Sequence, residues 1–194
     1  LFFIFICMFL WLALPIYGQA TREHILLDNH WKFCLGHATD PSKDLYYRVY
    51  NDFSKTLSKG INFSSIDYDD SSWQTVDLPH DWAITLPFSE KGDWSHGYKA
   101  LGNAFPEHSM GWYRKTFELS KSEAGKRIEL QFDGIFRDSR CWVNGIYVGQ
   151  HLSGYTGVKY DITDLVHFGK PNVITVRVDA TQNEGWFYEG AGIY

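Results

Sequence analysis

The chain reads as an all-β sandwich or barrel, and three observations predict it. Between Gly111 and Asp161, four or five short apolar runs are each bounded by Gly, Asn, Asp or Ser, the regular spacing of antiparallel sheets. Ile128, Leu130 and Phe132 alternate with Glu129 and Gln131, so a strand there buries one face and wets the other. Asn144-Gly145 stands between Cys141-Trp142-Val143 and Ile146-Tyr147-Val148. Asn-Gly best tolerates positive φ at both centres of a type I′ turn, so this stretch is expected to be a two-residue hairpin.

In chain order, residues 1–20 read as a targeting segment. Leu1 to Leu14 is almost wholly apolar, Pro15 breaks the run, and Gly18-Gln19-Ala20 supplies the small-x-small pattern of a signal-peptidase site. The expected product is secreted or periplasmic and begins near Thr21. The run is shorter than the ~20 apolar residues of a membrane span. Cys7 lies inside it rather than after a cleavage site, so no stable membrane anchor is expected. Neither a starting Met nor a basic residue precedes the run, as in a record truncated at its front. The competing reading of this stretch is a buried apolar helix of the fold.

The net charge of −5, from 18 Lys+Arg and 23 Asp+Glu, offers no clustered basic surface and argues against nucleic acid as a partner. The remaining length suits one domain with a real core. Of the three Cys, Cys34 and Cys141 outlast cleavage, and they form either one disulfide or two buried thiols. Aromatic residues make up 18% of the chain, including eight Trp, more than one core consumes. Most individual Trp belong in a core, and the excess is expected on a surface, where aromatic faces accept the C–H face of a sugar.

Ile25, Leu27, Trp31 and Phe33 suggest an edge strand with a turn around Asp28-Asn29. Residues 36–66 are polar and aperiodic, an insertion lying on the sandwich, with enough apolar residues from Leu45 to Leu57 for a short helix or packed loop. Asp69-Asp70-Ser71-Ser72 signals a turn or helix start, and Trp73, Val76 and Leu78 follow as inward-facing candidates. His80 and Asp81 are neighbours on an extended stretch and point to opposite faces, which favours a structural role for Asp81-Trp82 over acid–base cooperation. The connection from Ala83 to Met110, rich in Gly, His and aromatics, is long enough to carry ligand contacts. Asp161 is expected to start a turn of helix ended by Gly169-Lys170-Pro171-Asn172. Val173 to Val178 reads as a strand with Ile174, Val176 and Val178 on one face and Thr175 and Arg177 on the other.

Taken together, DDSSWQTVDLPHDW, GWYRKTFEL, FDGIFRDSRCWVNGIYVGQHLSGYTGVKYDITDLV, NVITVRVD and the closing GWFYEGAGIY resemble the amino-terminal sugar-binding domain of glycoside hydrolase family 2. The match runs in order from about Asn29 to Tyr194 and looks most like secreted β-galactosidases. The resemblance implies a jelly-roll, galactose-binding-like β-sandwich with short helical turns. It also implies an immunoglobulin-like sandwich and a catalytic TIM barrel beyond residue 194. Both glutamates of retaining hydrolysis belong to that barrel. This stretch is therefore expected to bind and help shape a substrate pocket without catalysing hydrolysis. Its implied partners are a β-galactoside or related glycan and the two following domains.

Family members touch the sugar from two positions of this domain. One lies six residues before the Gly of the closing Gly-Ile pair, where some members have Asp. Here it is Trp186, which suggests stacking by Trp186 or replacement of the carboxylate by Glu184 or Glu189. The other lies three residues before the Gly of Gly-Trp-Tyr, where some members have Asn. Here it is His108, beside Glu107, and imidazole can replace an amide as a hydrogen-bonding group. The bland alternatives stay open: Trp186, Phe187 and Tyr188 sealing a domain interface, and Glu184 and Glu189 solvated. The eight His lack metal-ligand spacing, so no cofactor is expected here, and magnesium or sodium ions of relatives belong to the barrel. Outside the hydrolase reading stands a lectin-like or structural module. Within it, β-glucuronidase and β-mannosidase are rivals, because the residues that select among these sugars lie mostly in the barrel.

Overall fold

The structure, a computed structural model, describes residues 22–45, 63–182 and 187–194. The apolar stretch 1–20, residues 46–57 of the anticipated helix or packed loop, Glu184 and Trp186 lie outside the described residues. No helix among the described residues is long and apolar enough to cross a membrane.

Eleven strands are described: β1 Trp31–Leu35, β2 Gln74–Val76, β3 His80–Asp81, β4 Met110–Glu118, β5 Glu129–Phe132, β6 Ile135–Phe136, β7 Ser139–Val143, β8 Ile146–His151, β9 Val158–Asp161, β10 Pro171–Asp179 and β11 Gly192–Ile193. They form one large sheet, ordered β2-β1-β4-β10-β7-β8, and two small ones, β3-β11-β6 and β5-β9. Every pairing is antiparallel. This is the all-β sandwich the sequence predicts, with six strands rather than four or five between Gly111 and Asp161.

The core lies between the large sheet and the small ones. Phe33, Tyr113, Val176 and Cys141 stand in register across β1, β4, β10 and β7, and all four belong to one buried cluster with Leu130, Phe132, Ile135, Ile174 and Val178. Period-two alternation explains the membership, because these are the positions that share a face of the pleat. Each such side chain stabilises the fold by ~1.5–3 kcal/mol on burial.

The opposite face of the large sheet is covered as well. Phe63, Trp73, Met110, Trp112 and Trp142 form a second buried cluster, against which Cys34, Ala38, Leu45 and Tyr68 pack. The ends of the 36–66 insertion are tied to this face by charge. Arg114 of β4, only 2% exposed, donates from Nε to Asp70 Oδ2 at 2.8 Å, from Nη2 to the Ser65 carbonyl at 3.0 Å, and to the Phe63 carbonyl. At the other end, buried Asp44 accepts from Trp112 Nε1 at 2.7 Å and stands 3.7 Å from Arg177 Nε. Thr175 and Arg177 are accordingly buried, although they lie on the face away from the main core.

Two expectations are corrected, and the choice left open for the two Cys is decided. β1 is not an edge strand: β2 covers it, and Ile25 and Leu27 precede it outside any strand. Asp161 starts no helix, because its Oδ1 accepts from Thr163 N and Oγ1 at 3.1 and 2.6 Å and closes an Asx turn that ends β9. Cys34 and Cys141 are free thiols, of which Cys141 is fully buried. They stand three strand spacings apart, ~14 Å, and pack into different clusters on opposite faces. A disulfide needs Cα atoms within ~7 Å.

The hairpin forms as predicted. Asn144 and Gly145 have φ of 50° and 87°, and Val143 pairs with Ile146 across them. Asn144 has a second use that turn chemistry does not announce. Its Nδ2 donates to the Leu165 carbonyl and to Asn172 Oδ1, both at 2.8 Å, and its Oδ1 accepts from Val173 N at 2.9 Å.

Candidate functional site

At the end of the sandwich where β10 leaves the sheet, the 83–110 connection meets the closing segment 187–194. Asp81 joins them. Its Oδ1 accepts from Ala83 N, capping the 3-10 turn Trp82–Thr85, and from Ala191 N, both at 2.9 Å. Its Oδ2 accepts from the Tyr188 hydroxyl at 3.0 Å. The approach is close enough that a Cβ at residue 190 would overlap the Asp81 carboxylate and the Tyr194 hydroxyl, which is why Gly stands there. Trp82 is buried beneath, and its Nε1 donates to the His108 carbonyl at 2.8 Å. The expected structural role of Asp81-Trp82 is what these bonds describe. His80 points elsewhere, its Nδ1 hydrogen-bonded to the Tyr113 hydroxyl at 2.8 Å. Burial lowers the pKa of His80 despite the Asp81 charge and raises that of Tyr113.

A second tie runs through the turn Trp94–His96, capped by Asp93, whose Oδ1 accepts from Ser95 N at 2.8 Å and from Ser95 Oγ at 2.7 Å. Glu189 N donates to the Ser95 carbonyl at 2.7 Å, and the Glu189 carbonyl accepts from His96 Nδ1 at 2.7 Å. A carbonyl can only accept, so Nδ1 carries a proton, and among the described residues the fully buried Nε2 has no hydrogen-bond partner. Beside this end, Arg137, Asp138, Leu152, Asp179, Thr181 and Gln182 line a small polar cavity of about 190 Å³.

Of the residues singled out in the sequence, the structure brings His108 and Glu189 to this one end. The His96 ring lies beside Gly102, which is held by Ser109 Oγ next to His108. Their settings differ. His108 is half-buried, donates from Nδ1 to the Ala100 carbonyl at 3.0 Å and stacks parallel on Phe105, which leaves Nε2 as its accepting edge. Glu107 is exposed beside it. Glu189 is only 1% exposed, so the solvated alternative does not hold for it, and its carboxylate is held within the domain. Sequence reasoning missed His96 and Asp93 as parts of this end, and it offered Tyr188 only as a seal against a following domain, not as a partner of Asp81. Asp93-x-Ser95 is a legible capping signal, but the burial of His96 depends on contacts 93 residues away.

The aromatic residues divide as the composition suggests, with most Trp in a core and an excess on the surface. Among the described residues, Trp31, Trp73, Trp82, Trp112 and Trp142 are buried and only Trp94 is half-exposed. Much of the surface share falls here, where Phe88, Tyr98, Phe187 and Tyr188 join Trp94 on the two segments that meet, each at least half-exposed. Lys99 Nζ lies 4.0 Å from the Phe88 ring centroid. Flat apolar faces beside His, Glu, Asp and Arg side chains make a surface suited to polyhydroxylated rings.

The strand order and the all-antiparallel pairing define an antiparallel β-sandwich domain. More particularly, residues 25–193 match the model of the glycosyl hydrolases family 2 sugar binding domain, and the chain belongs to that family. It is 40% identical over 139 residues to a β-galactosidase of Bacteroides ovatus, covering 71% of this chain and 16% of that protein. It is 32% identical over 133 residues to a β-glucuronidase of Formosa agariphila, covering 69% and 13%. Among solved structures it is similar to a β-glycosidase from Bacteroides vulgatus, with 30% identity and a TM-score of 0.65 over 89% of this chain and 19% of that one. A β-glucuronidase of Bacteroides uniformis gives 25% identity and a TM-score of 0.61 over 88% and 16%. The chain spans about one sixth of the length of these relatives.

Proposed function

We propose that this domain serves a secreted β-galactosidase that removes terminal β-linked galactose from glycans, with residues 1–20 as its signal peptide. The observation that carries the reading is the family match over 25–193, to which the identity with a β-galactosidase adds the sugar. The domain's own part is to shape one wall of the substrate pocket. His108 Nε2 accepts from a sugar hydroxyl with Glu107 beside it, and the contact that other members make with Asp falls to stacking by Trp186 or to the carboxylate of Glu184, since Glu189 is buried. The exposed rings of Phe187 and Tyr188 seat against the barrel. No metal or cofactor is assigned to this domain.

Similarity to a β-glucuronidase over 69% of the chain supports a second reading, in which a uronic acid replaces galactose. The test is turnover of a panel of nitrophenyl β-glycosides by the full-length gene product, with residues 22–194 assayed in parallel. Cleavage of the galactoside, with none by the isolated domain, is the expected result. Preference for the glucuronide selects the second reading, and turnover of none of the panel leaves the domain as a binding module. In the active protein, His108→Ala is expected to raise KM for the preferred glycoside about fivefold or more, the effect of one lost hydrogen bond.

A further inference from the structure

A second site lies at the other end of the sandwich, beside the first residues of β10. There the free edge of the large sheet leaves a cleft of about 640 Å³, within the ~300–1,000 Å³ range of small-ligand sites. One wall is the start of β8, Ile146 to Val148. The other is Arg127 with the turn that follows β9, from Asp161 to Leu165. Because Val143 pairs with both Ile146 and Ile174, this cleft sits where β10 begins, a strand's length from the end described above.

Most polar groups of the cleft are paired with one another. Arg127 Nε meets Asp161 Oδ2 at 3.0 Å, and a terminal guanidinium nitrogen lies 3.4 Å from Glu129 Oε1. Asp161 Oδ1 is fixed in turn by Thr163 N and Oγ1. Thr163 and Arg127 hold the Asp161 carboxyl below its usual range, so it is ionised at neutral pH. Asp164 is exposed, and among the described residues its carboxylate has neither hydrogen bond nor ion pair. Tyr147 and Ile146 are each about half-exposed, and the Tyr147 ring is braced against Trp142 at 5.6 Å.

This donor set selects among ligands. Two carboxylates against one guanidinium that is already neutralised repel phosphates and uronic acids. A purely apolar ligand would strand the Arg–Asp pair without water. A neutral saccharide satisfies both sides, its hydroxyls donating to the carboxylates and accepting from the remaining guanidinium N–H groups while a C–H face lies on Tyr147 and Ile146. We propose that this cleft is an auxiliary site for a neutral glycan chain, bound by Tyr147, Arg127, Asp161 and Asp164 apart from the pocket this domain helps to form. The inference rests on the glycan reading above. It makes the domain a holder of polymeric substrate as well as a wall of the pocket.

The test uses the full-length protein in native gels containing soluble β-1,4-galactan, galactomannan or xyloglucan, beside turnover of a nitrophenyl glycoside. Wild-type protein is expected to be retarded by at least one polymer. Tyr147→Ala and Asp164→Ala are each expected to weaken that binding about fivefold or more, the effect of one lost ring contact or hydrogen bond, with turnover of the small substrate unchanged. Asp164 is exposed and makes no contact that folding needs, so its variant reports on binding alone. Absence of retardation by all three polymers, or equal retardation of wild type and Asp164→Ala, overturns the proposal. Neither result depends on which sugar the small-substrate panel selects, so failure of the galactosidase reading is seen separately.

Discussion

At the scale of single residues, the side chains that matter most here are polar groups spent on the protein's own backbone. Asp81 accepts three hydrogen bonds, one from Ala83 and two from the closing segment at Tyr188 and Ala191. Bonds to a charged acceptor contribute more than neutral ones, and Asp81→Ala is expected to lower unfolding free energy by about 2–4 kcal/mol in urea titrations, with Asp81→Asn costing less. His80 shows the opposite electrostatics. Burial holds its folded pKa below the unfolded value, so the unfolded chain takes up the proton first as pH falls. Stability is therefore expected to decline as pH drops below about 6.5, and His80→Gln is expected to flatten that part of a melting-temperature profile. The exposed carboxyl of Asp40, lowered to about 2 by its Ser42 and Lys43 bonds, contributes only in a more acid window, from its ordinary value down to that pKa. Burial, with the Asp44 carboxylate beside it, pushes the Cys34 thiol up to about 12, and burial alone raises Cys141 further. Both are expected to react slowly with a thiol reagent at pH 8 in the folded protein and rapidly in denaturant.

At the scale of elements, the β7–β8 hairpin shows how one residue can serve two levels. Asn144 adopts the left-handed conformation the turn requires, and its amide also clasps β10 and the turn at Leu165. Two substitutions separate these uses. Asn144→Gly keeps the turn and loses the clasp, an expected cost of about 1–3 kcal/mol. Asn144→Ala loses the clasp and adds about 1–2 kcal/mol of backbone strain. Equal destabilisation of the two would sink this division. The Asx turn at Asp161 shows why a capping signal misleads when read alone. An Asp that starts a helix and an Asp that closes a turn make the same local bond, and Ile162 N is drawn instead to the Ile128 carbonyl at the end of β5.

At the scale of the whole molecule, one sheet carries two covered faces, and only the inner one announces itself. The outer face is held by buried charge, with Arg114 clamped among Asp70, Phe63 and Ser65. Removing one partner of a buried pair leaves an uncompensated charge, so Arg114→Ala or Asp70→Ala is expected to cost about 3–5 kcal/mol. Urea titration of each variant against the wild type checks it. The sequence by itself determined the strands, because pleat alternation is a local property: Ile128 to Phe132, the Asn-Gly hairpin and the inner face of β10 were all legible. It determined the family too, through motifs kept in order. Glu189 was legible only as a candidate carboxylate, and His108 only as a position. Only the tertiary structure decided that β1 lies under β2, that Cys34 and Cys141 face opposite ways, that Glu189 is buried against His96, and that the insertion's ends roof the outer face. Each of these depends on contacts between residues far apart in the chain, where burial and pairing are set by what folds back onto a segment rather than by its own composition.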